Sequence, residues 1–208
     1  VLSTFNNKEW DGRAEAVFGQ LGVLSAAAVG LQVQDRKFEG LGEAADYLLP
    51  THTQSTAGFV FVEAPVGGLH VQGALRIEGS RISGTPALGV STRLDFTPVS
   101  VSVGATYDLT DSIRLGLTAS SAARAPGQTE LFAIGPHDGP QTFETGNPTL
   151  GIERANSLEA TARYHPDSGM KVEASVWASQ FDGYIYGALT GRTCDELGIL
   201  VWQDFMFA

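Results

Sequence analysis

The sequence predicts an all-β protein and, within that class, an antiparallel up-and-down transmembrane β-barrel to which this chain contributes about nine strands, a partial barrel with short periplasmic turns and long extracellular loops. Three observations predict it. Short windows alternate apolar and polar residues with period two, as a strand does when it shows one greasy and one wet face. Short turns and connections of more than a dozen residues follow each other in strict alternation, which gathers the turns at one end of the sheet and the loops at the other. A soluble sandwich mixes its connection lengths, whereas a membrane barrel obeys this rule. The strands also have the right length: about ten residues at ~3.3 Å rise and ~45° tilt cover roughly 23 Å, close to the ~25 Å apolar band of such barrels.

The elements follow in order. Glu9–Phe18 places Trp10 and Phe18 on one face at opposite ends, where aromatic rings mark the two membrane interfaces. Val23–Phe38 has an Ala-rich centre that tolerates a helix, but its glycines and the Val29, Leu31, Val33 alternation favour a strand. Gln54–Glu63 is the third. Leu69–Glu78 sets Leu69, Val71, Leu75 and Ile77 against His70, Gln72, Arg76 and Glu78. Val99–Tyr107 sets Val99, Val101, Val103, Ala105 and Tyr107 against Ser100, Ser102, Gly104 and Thr106. Ile113–Ser120 and Ser157–Tyr164 repeat the pattern, with Arg114 in the first and Glu159 and Arg163 in the second on the wet face. Met170–Tyr184 and Ile199–Phe207 complete the set. Turns are expected at 19–22, 64–68, 108–111 and 165–169, and loops at 39–53, 83–98, 123–154 and 185–198.

Composition narrows the function classes. The chain has 208 residues, an ordinary single domain, with 23 acidic against 13 basic side chains and a net charge of -10, so no nucleic acid partner is expected. Charged residues are only 17% of the chain and there are 25 glycines, an odd balance for a cytosolic protein. The longest apolar run, Leu21–Leu31, is too short and too interrupted for a membrane helix. No basic-then-apolar leader opens the chain, which reads as a mature or internal portion. One cysteine, Cys194, excludes an internal disulfide, although a partner cysteine elsewhere remains open.

A family resemblance rests on the segment from Ala122 to Tyr164. It carries Ala122-Ala123-Arg124-Ala125-Pro126, Glu130-Leu131-Phe132, Gly135-Pro136-His137, Phe143-Glu144-Thr145-Gly146-Asn147-Pro148, and then Leu150, Glu153, Asn156 and Glu159. This resembles the C-terminal half of the barrel of TonB-dependent outer-membrane receptors. There a strand ends in Arg-Ala-Pro, a long external loop follows, and a Gly-Asn-Pro-x-Leu-x-x-Glu run enters the next strand. Tyr107-Asp108-Leu109-Thr110-Asp111 is similar to a periplasmic hairpin of that family, and Phe181-Asp182-Gly183-Tyr184-Ile185-Tyr186 to a strand exit. Whole family members have an N-terminal plug, a TonB-contacting segment and a barrel of 22 strands. Residues 1–208 therefore read as a fragment of the barrel domain without a plug. The resemblance implies a receptor in the outer membrane of a Gram-negative bacterium. It implies external loops that capture a metal chelate or siderophore, a plug moved through TonB, and contact with outer-membrane lipid.

The site candidates are few. No Gly-x-Ser-x-Gly, His-Glu-x-x-His, Walker or Gly-x-Gly-x-x-Gly motif occurs, so neither enzyme activity nor a cofactor is expected. His137, Asp138 and Glu144 sit in the longest loop and offer nitrogen and oxygen donors to a metal or metal chelate, although external loops are rich in such residues in any case. Arg114, Glu159 and Arg163 fall on the face assigned to a wet lumen, since on the lipid side each is costly. The rival readings are a passive porin-like channel, selective by lumen charge, and a soluble β-sandwich binding or adhesion module.

Overall fold

The computed structural model describes residues 3–87, 89–137, 142–167 and 169–188. Among these, eight long strands run in one antiparallel meander: β1 (Thr4–Phe18), β2 (Ala26–Leu41), β3 (Thr51–Val66), β4 (Leu69–Gly84), β6 (Val99–Thr110), β7 (Ile113–Arg124), β10 (Glu153–Tyr164) and β11 (Val172–Asp182). The short β5 (Thr92–Phe96) pairs with the upper part of β4, and β8 (Ile134–His137) and β9 (Thr142–Thr145) form a separate hairpin in the longest loop. A 3-10 turn, Gly42–Ala45, follows β2, and a five-residue helix α1, Gln128–Phe132, follows β7. The sheet is not closed among the described residues: β1 and β11 each pair on one side only. Eight of the nine expected strands are thus in place; Ile199–Phe207 and Cys194 lie outside the described residues.

Register separates the two faces. One cross-strand row runs Phe18, Ala27, Val62, Gly73, Val103, Ala119, Leu158 and Ala178 through all eight long strands, apolar at every step. The row Glu63, Gln72, Gly104, Thr118 and Glu159 lies on the other face and is largely polar. Burial agrees in an inverted sense. Val103 is 56% and Leu158 52% exposed, because the apolar face has nothing from this chain against it, whereas Ser80 and Ile82 on the polar side are buried. A sheet that turns its valines and leucines outward is a wall facing lipid, and a two-sheet sandwich enclosing them is excluded.

The strands outrun the hydrophobic pattern at the long-loop end. Alternation predicts ends near Phe38 and Glu78 and starts near Glu9 and Gln54, yet β2 continues to Leu41, β4 to Gly84, β1 starts at Thr4 and β3 at Thr51. The outward face turns polar above Trp10 in β1, Val33 in β2, Thr56 in β3 and Gly79 in β4, but the hydrogen-bond ladder continues through Asp35, Gln54 and Arg81. Once out of hydrocarbon a strand needs no greasy face, so the pattern stops where the membrane does and the backbone pairing does not. At the other end the turns are tight. Val66 and Leu69 flank Gly67-Gly68, and a register shift between Asp108 and Thr110 precedes the β6–β7 turn.

The compact core sits at the long-loop mouth, on the polar side of the sheet. Tyr47, Leu48, Ile82, Leu131, Phe132 and Ala133 are buried together, with Phe38, Leu94 and Phe96 packed against them. Phe132 lies so close over Gly84 that any Cβ there collides with its ring. The segment after β7 therefore folds inward over the wall instead of standing away from it.

Val103 lies mid-way along the apolar stretch of β6, and Thr106 on the opposite face. Val103→Arg is expected to cost ~2–4 kcal/mol of unfolding free energy in lipid bilayers and Thr106→Arg well under half of that. Equal losses in a urea titration would refute the assignment of faces.

Candidate functional site

Two polar clusters organise the mouth. The first is built on Arg124, the last residue of β7. Its Nε and Nη2 donate to the two oxygens of Glu153 at 2.8 and 3.2 Å, while Nη1 and Nη2 donate to those of Glu130 at 2.9 and 3.0 Å. Glu130 also accepts the Gly127 backbone N–H at 2.6 Å, fixing the start of α1, and Glu153 accepts that of Ile185 at 2.7 Å, fixing the exit of β11. One planar guanidinium with two bidentate partners thus ties together four chain segments. Burial pushes the Glu130 carboxyl up, but the Arg124 guanidinium and the Gly127 amide outweigh it and hold it below the usual carboxylate range. Glu153 is lowered in the same way, against its burial, by Arg124 and the Ile185 amide. Hydrogen bonds from Arg124 to Glu130 and then Glu153 push the guanidinium pKa up.

The second cluster joins the loop after β2 to the β8–β9 hairpin. Tyr47 donates its hydroxyl to Glu144 Oε2 at 2.7 Å, and Thr142 donates to Oε1 at 3.1 Å. His137 Nδ1 lies 2.9 Å from the same Oε1. An ionised carboxylate can only accept, so this nitrogen carries the proton. The His137 and Tyr47 rings stack at 4.6 Å, and the Ile134 N–H donates to the Tyr47 carbonyl at 2.8 Å. Burial raises the Glu144 pKa, yet the hydrogen bonds from His137, Tyr47 and Thr142 together bring it below its ordinary value. Burial, reinforced by the neighbouring Glu144, pushes the Tyr47 phenol up, so it stays a donor at any physiological pH. Gly135, with φ +146, lets the hairpin lie directly on the Asp46 backbone, where a Cβ has no room.

The wall and the inward segment border an open cleft of about 260 Å³ with a mixed lining, Gln34, Arg36, Glu78 and Gln128 beside Ile82 and Pro126. Arg36 reaches across it to Gln128 Oε1 with one Nη, while its buried Nε has no partner among the described residues.

The structure brings His137 and Glu144 into contact. Asp138 lies outside the described residues. Among the described residues no three His, Cys, Asp or Glu side chains converge in a metal-binding group, and Glu144 spends its oxygens on Tyr47, His137 and Thr142. Arg114, Glu159 and Arg163 share the sheet face opposite the apolar row but form no cluster together. Arg163 stands opposite Arg114 and pairs with Glu173 at 3.1 Å, Arg114 pairs with Asp108 at 2.5 Å, and Glu159 stands opposite Thr118. Tyr47, Arg36 and Gln128 were not legible as site residues, since a lone polar residue in a loop carries no spacing signal. Arg124, Glu130 and Glu153 stand in the recognisable Arg-Ala-Pro to Glu segment, but nothing in the sequence says that they meet.

Comparison with known proteins agrees with this geometry. The family model "TonB dependent receptor-like, beta-barrel" matches residues 3–205. The fold is similar to that of the copper transporter OprC, at TM-score 0.64 and 17% identity over 85% of this chain and 30% of that one. It is similar to the Serratia marcescens hemophore receptor HasR, solved as a double mutant with its hemophore HasA and heme, at TM-score 0.68 and 15% identity over 88% of this chain and 34% of that one. It is also similar to the ferric-catecholate import receptor Fiu of E. coli K12, at TM-score 0.65 and 12% identity over 85% of this chain and 32% of that one. The chain spans about a third of the length of each of these structures.

Depressed carboxylate pKa values make the mouth acid-labile. The contributions of Glu130, Glu144 and Glu153 are fully present above the ordinary carboxylate range and are lost as pH falls through their lower folded values. Limited proteolysis should leave residues 125–137 and 142–150 protected at neutral pH and cleave them below about pH 4, with the wall intact. Arg124→Ala should cost about 1–2 kcal/mol in denaturant unfolding and open the same segment at neutral pH. Unchanged protection in that variant would show that the guanidinium does not hold the mouth.

Proposed function

The chain belongs to the TonB-dependent receptor β-barrel family, and from that premise we propose that it forms part of the wall and mouth of an outer-membrane uptake receptor for a scarce metal complex, with a ferric siderophore as the leading cargo. TonB-dependent receptors are transporters, and their barrels lie in the outer membrane of Gram-negative bacteria. The observation that carries the reading is the inward-folded mouth: α1 and the β8–β9 hairpin pack on the polar side of the wall, where a solute enters, and leave polar side chains at the entrance. The printed names of three structural neighbours, a copper transporter, a heme–hemophore receptor and a ferric-catecholate importer, support a metal-bearing cargo of some kind.

In this reading Arg114, Glu159 and Arg163 line the lumen and meet a plug that belongs to the whole receptor, while TonB supplies the energy. His137 and Glu144, with Asp138 between them, meet the cargo at the mouth. The imidazole offers Nε2, the nitrogen not engaged by Glu144, to a chelate edge, and Tyr47 orients the pair.

The whole receptor, presented with ferric siderophores, heme, copper, zinc and cobalamin, should retain one metal complex at about micromolar Kd or tighter. Uptake of that complex should stop in cells lacking TonB. His137→Ala combined with Glu144→Gln should weaken binding about tenfold. Solute flux that persists without TonB, with none of the panel retained, would replace this reading by that of a passive channel.

A further inference from the structure

Three polar side chains from three adjacent strands stand together on the outward face of the wall, apart from both clusters of the mouth. On β3, His52 Nε2 lies 2.9 Å from Asp35 Oδ2 of β2, and Gln54 donates to the same oxygen at 2.9 Å. Across the next pairing His52 stands directly opposite Ser83 of β4, and Ser83 directly opposite Arg93 of β5. Lys37 of β2 is opposite His52 on its other side. Directly opposed residues of an antiparallel pair have Cβ atoms about 4.5–5.5 Å apart, so a serine hydroxyl can reach an imidazole there. Among the described residues the Ser83 hydroxyl makes no hydrogen bond and is free to turn that way. The acid fixes the tautomer. An ionised carboxylate can only accept, so Nε2 carries the proton and the neutral ring keeps its lone pair on Nδ1.

Height decides what reaches the row. His52 and Ser83 each lie four residues beyond Thr56 and Gly79, where the outward face turns polar. At ~3.3 Å per residue and ~45° tilt, four residues lift a side chain roughly 9 Å above the hydrocarbon edge, past a headgroup layer about 5–7 Å deep. Water and small solutes therefore meet these groups. His52 and Ser83 border one cleft of about 340 Å³, together with Lys37, Glu39, Phe38 and Pro50, whereas Asp35 lies outside it. A nucleophile and a base thus share a recess large enough for a small molecule, and the acid that orients the base stands behind it.

We propose that Asp35, His52 and Ser83 form an acyl-transfer site that hydrolyses a short-chain carboxylic ester arriving from the extracellular side. His52 Nδ1 takes the Ser83 proton as Oγ bonds to the ester carbonyl carbon. The bond from that carbon to the alcohol oxygen then breaks, and His52 returns the proton to the departing alcohol. In the second half His52 takes a proton from water, and the water oxygen bonds to the acyl carbon. The Oγ–carbon bond breaks, and Ser83 regains its proton. Ester and water become acid and alcohol, with no other reactant. Arg93, flanking Ser83 on the side away from His52, offers its guanidinium to the oxyanion. No motif announces this site, because positions 35, 52 and 83 meet only through strand register, and it does not depend on which cargo the mouth takes.

The test uses the whole receptor in detergent micelles, with p-nitrophenyl butyrate as substrate and a fluorophosphonate as a serine-directed probe located by peptide mass spectrometry. The probe should label Ser83, and Ser83→Ala should lower ester turnover at least about a hundredfold. His52→Gln should lower turnover and labelling to the same extent. Asp35→Asn should lower kcat more than about tenfold with KM little changed, as expected of a positioning residue. Ser91→Ala, which removes a second hydroxyl from the same cleft, should change neither readout. Label at Ser91 instead of Ser83, no label at all, or turnover unaffected by Ser83→Ala would overturn the site and leave the transport reading standing. Labelling of the wild type decides the matter even where a variant fails to fold.

Discussion

A backbone amide inside hydrocarbon has only other backbone groups to bond with, and the architecture of this protein depends on that constraint. It demands continuous pairing along every strand and turns the usual order of a soluble protein inside out. Val103, Leu158 and Val176 are exposed, while Ser80 and Ile82 on the other face are covered. The eight long strands hold an apolar band toward lipid, and only at the mouth do Ile82 of β4 and Phe38 of β2 join a core on the other side. Above that band the ladder persists but the outward side chains change to Asp35, Lys37, Gln54 and Arg81, residues that suit headgroups and water.

With the apolar side chains committed to lipid, the stabilising core moves to the loop end. There Leu48, Leu131 and Phe132 are buried outright, and polar groups set their position. Arg124 holds two carboxylates, and each of these carboxylates holds a backbone amide from a different segment. Glu144 joins Tyr47 to His137 and so couples two connections nearly a hundred residues apart in sequence. Partly buried, bidentate and shared, these contacts specify one arrangement of long connections that composition alone leaves free.

The wall and the mouth obey different physics. The wall is periodic, set by the alternation of outward apolar and inward polar side chains, and similar in shape to three solved proteins that are only 12 to 17% identical. The mouth is aperiodic: it is held by single contacts such as that of His137 with Glu144, not by a repeating pattern. Likeness of fold to a copper transporter and to a heme receptor at once is the expected consequence, since the same wall supports either.

The order of the eight long strands, the two faces and the separation of turns from loops were legible in the alternation, because each residue of a lipid-spanning strand answers to its own surroundings and period two records the answer locally; the short β5, β8 and β9, inside stretches expected to be loop, were not. The ends of strands were not: β2 and β4 run on past Phe38 and Glu78 because pairing outlasts the hydrophobic signal. Nor was the mouth. His137 and Glu144 could be picked out as candidates by residue type, but Tyr47, which completes their hydrogen bonding, and the meeting of Arg124 with both Glu130 and Glu153 arise from segments that come together only when the chain folds back over its own wall. Local environment writes itself into composition and period; contact between distant segments leaves no periodic trace and is decided by the tertiary structure.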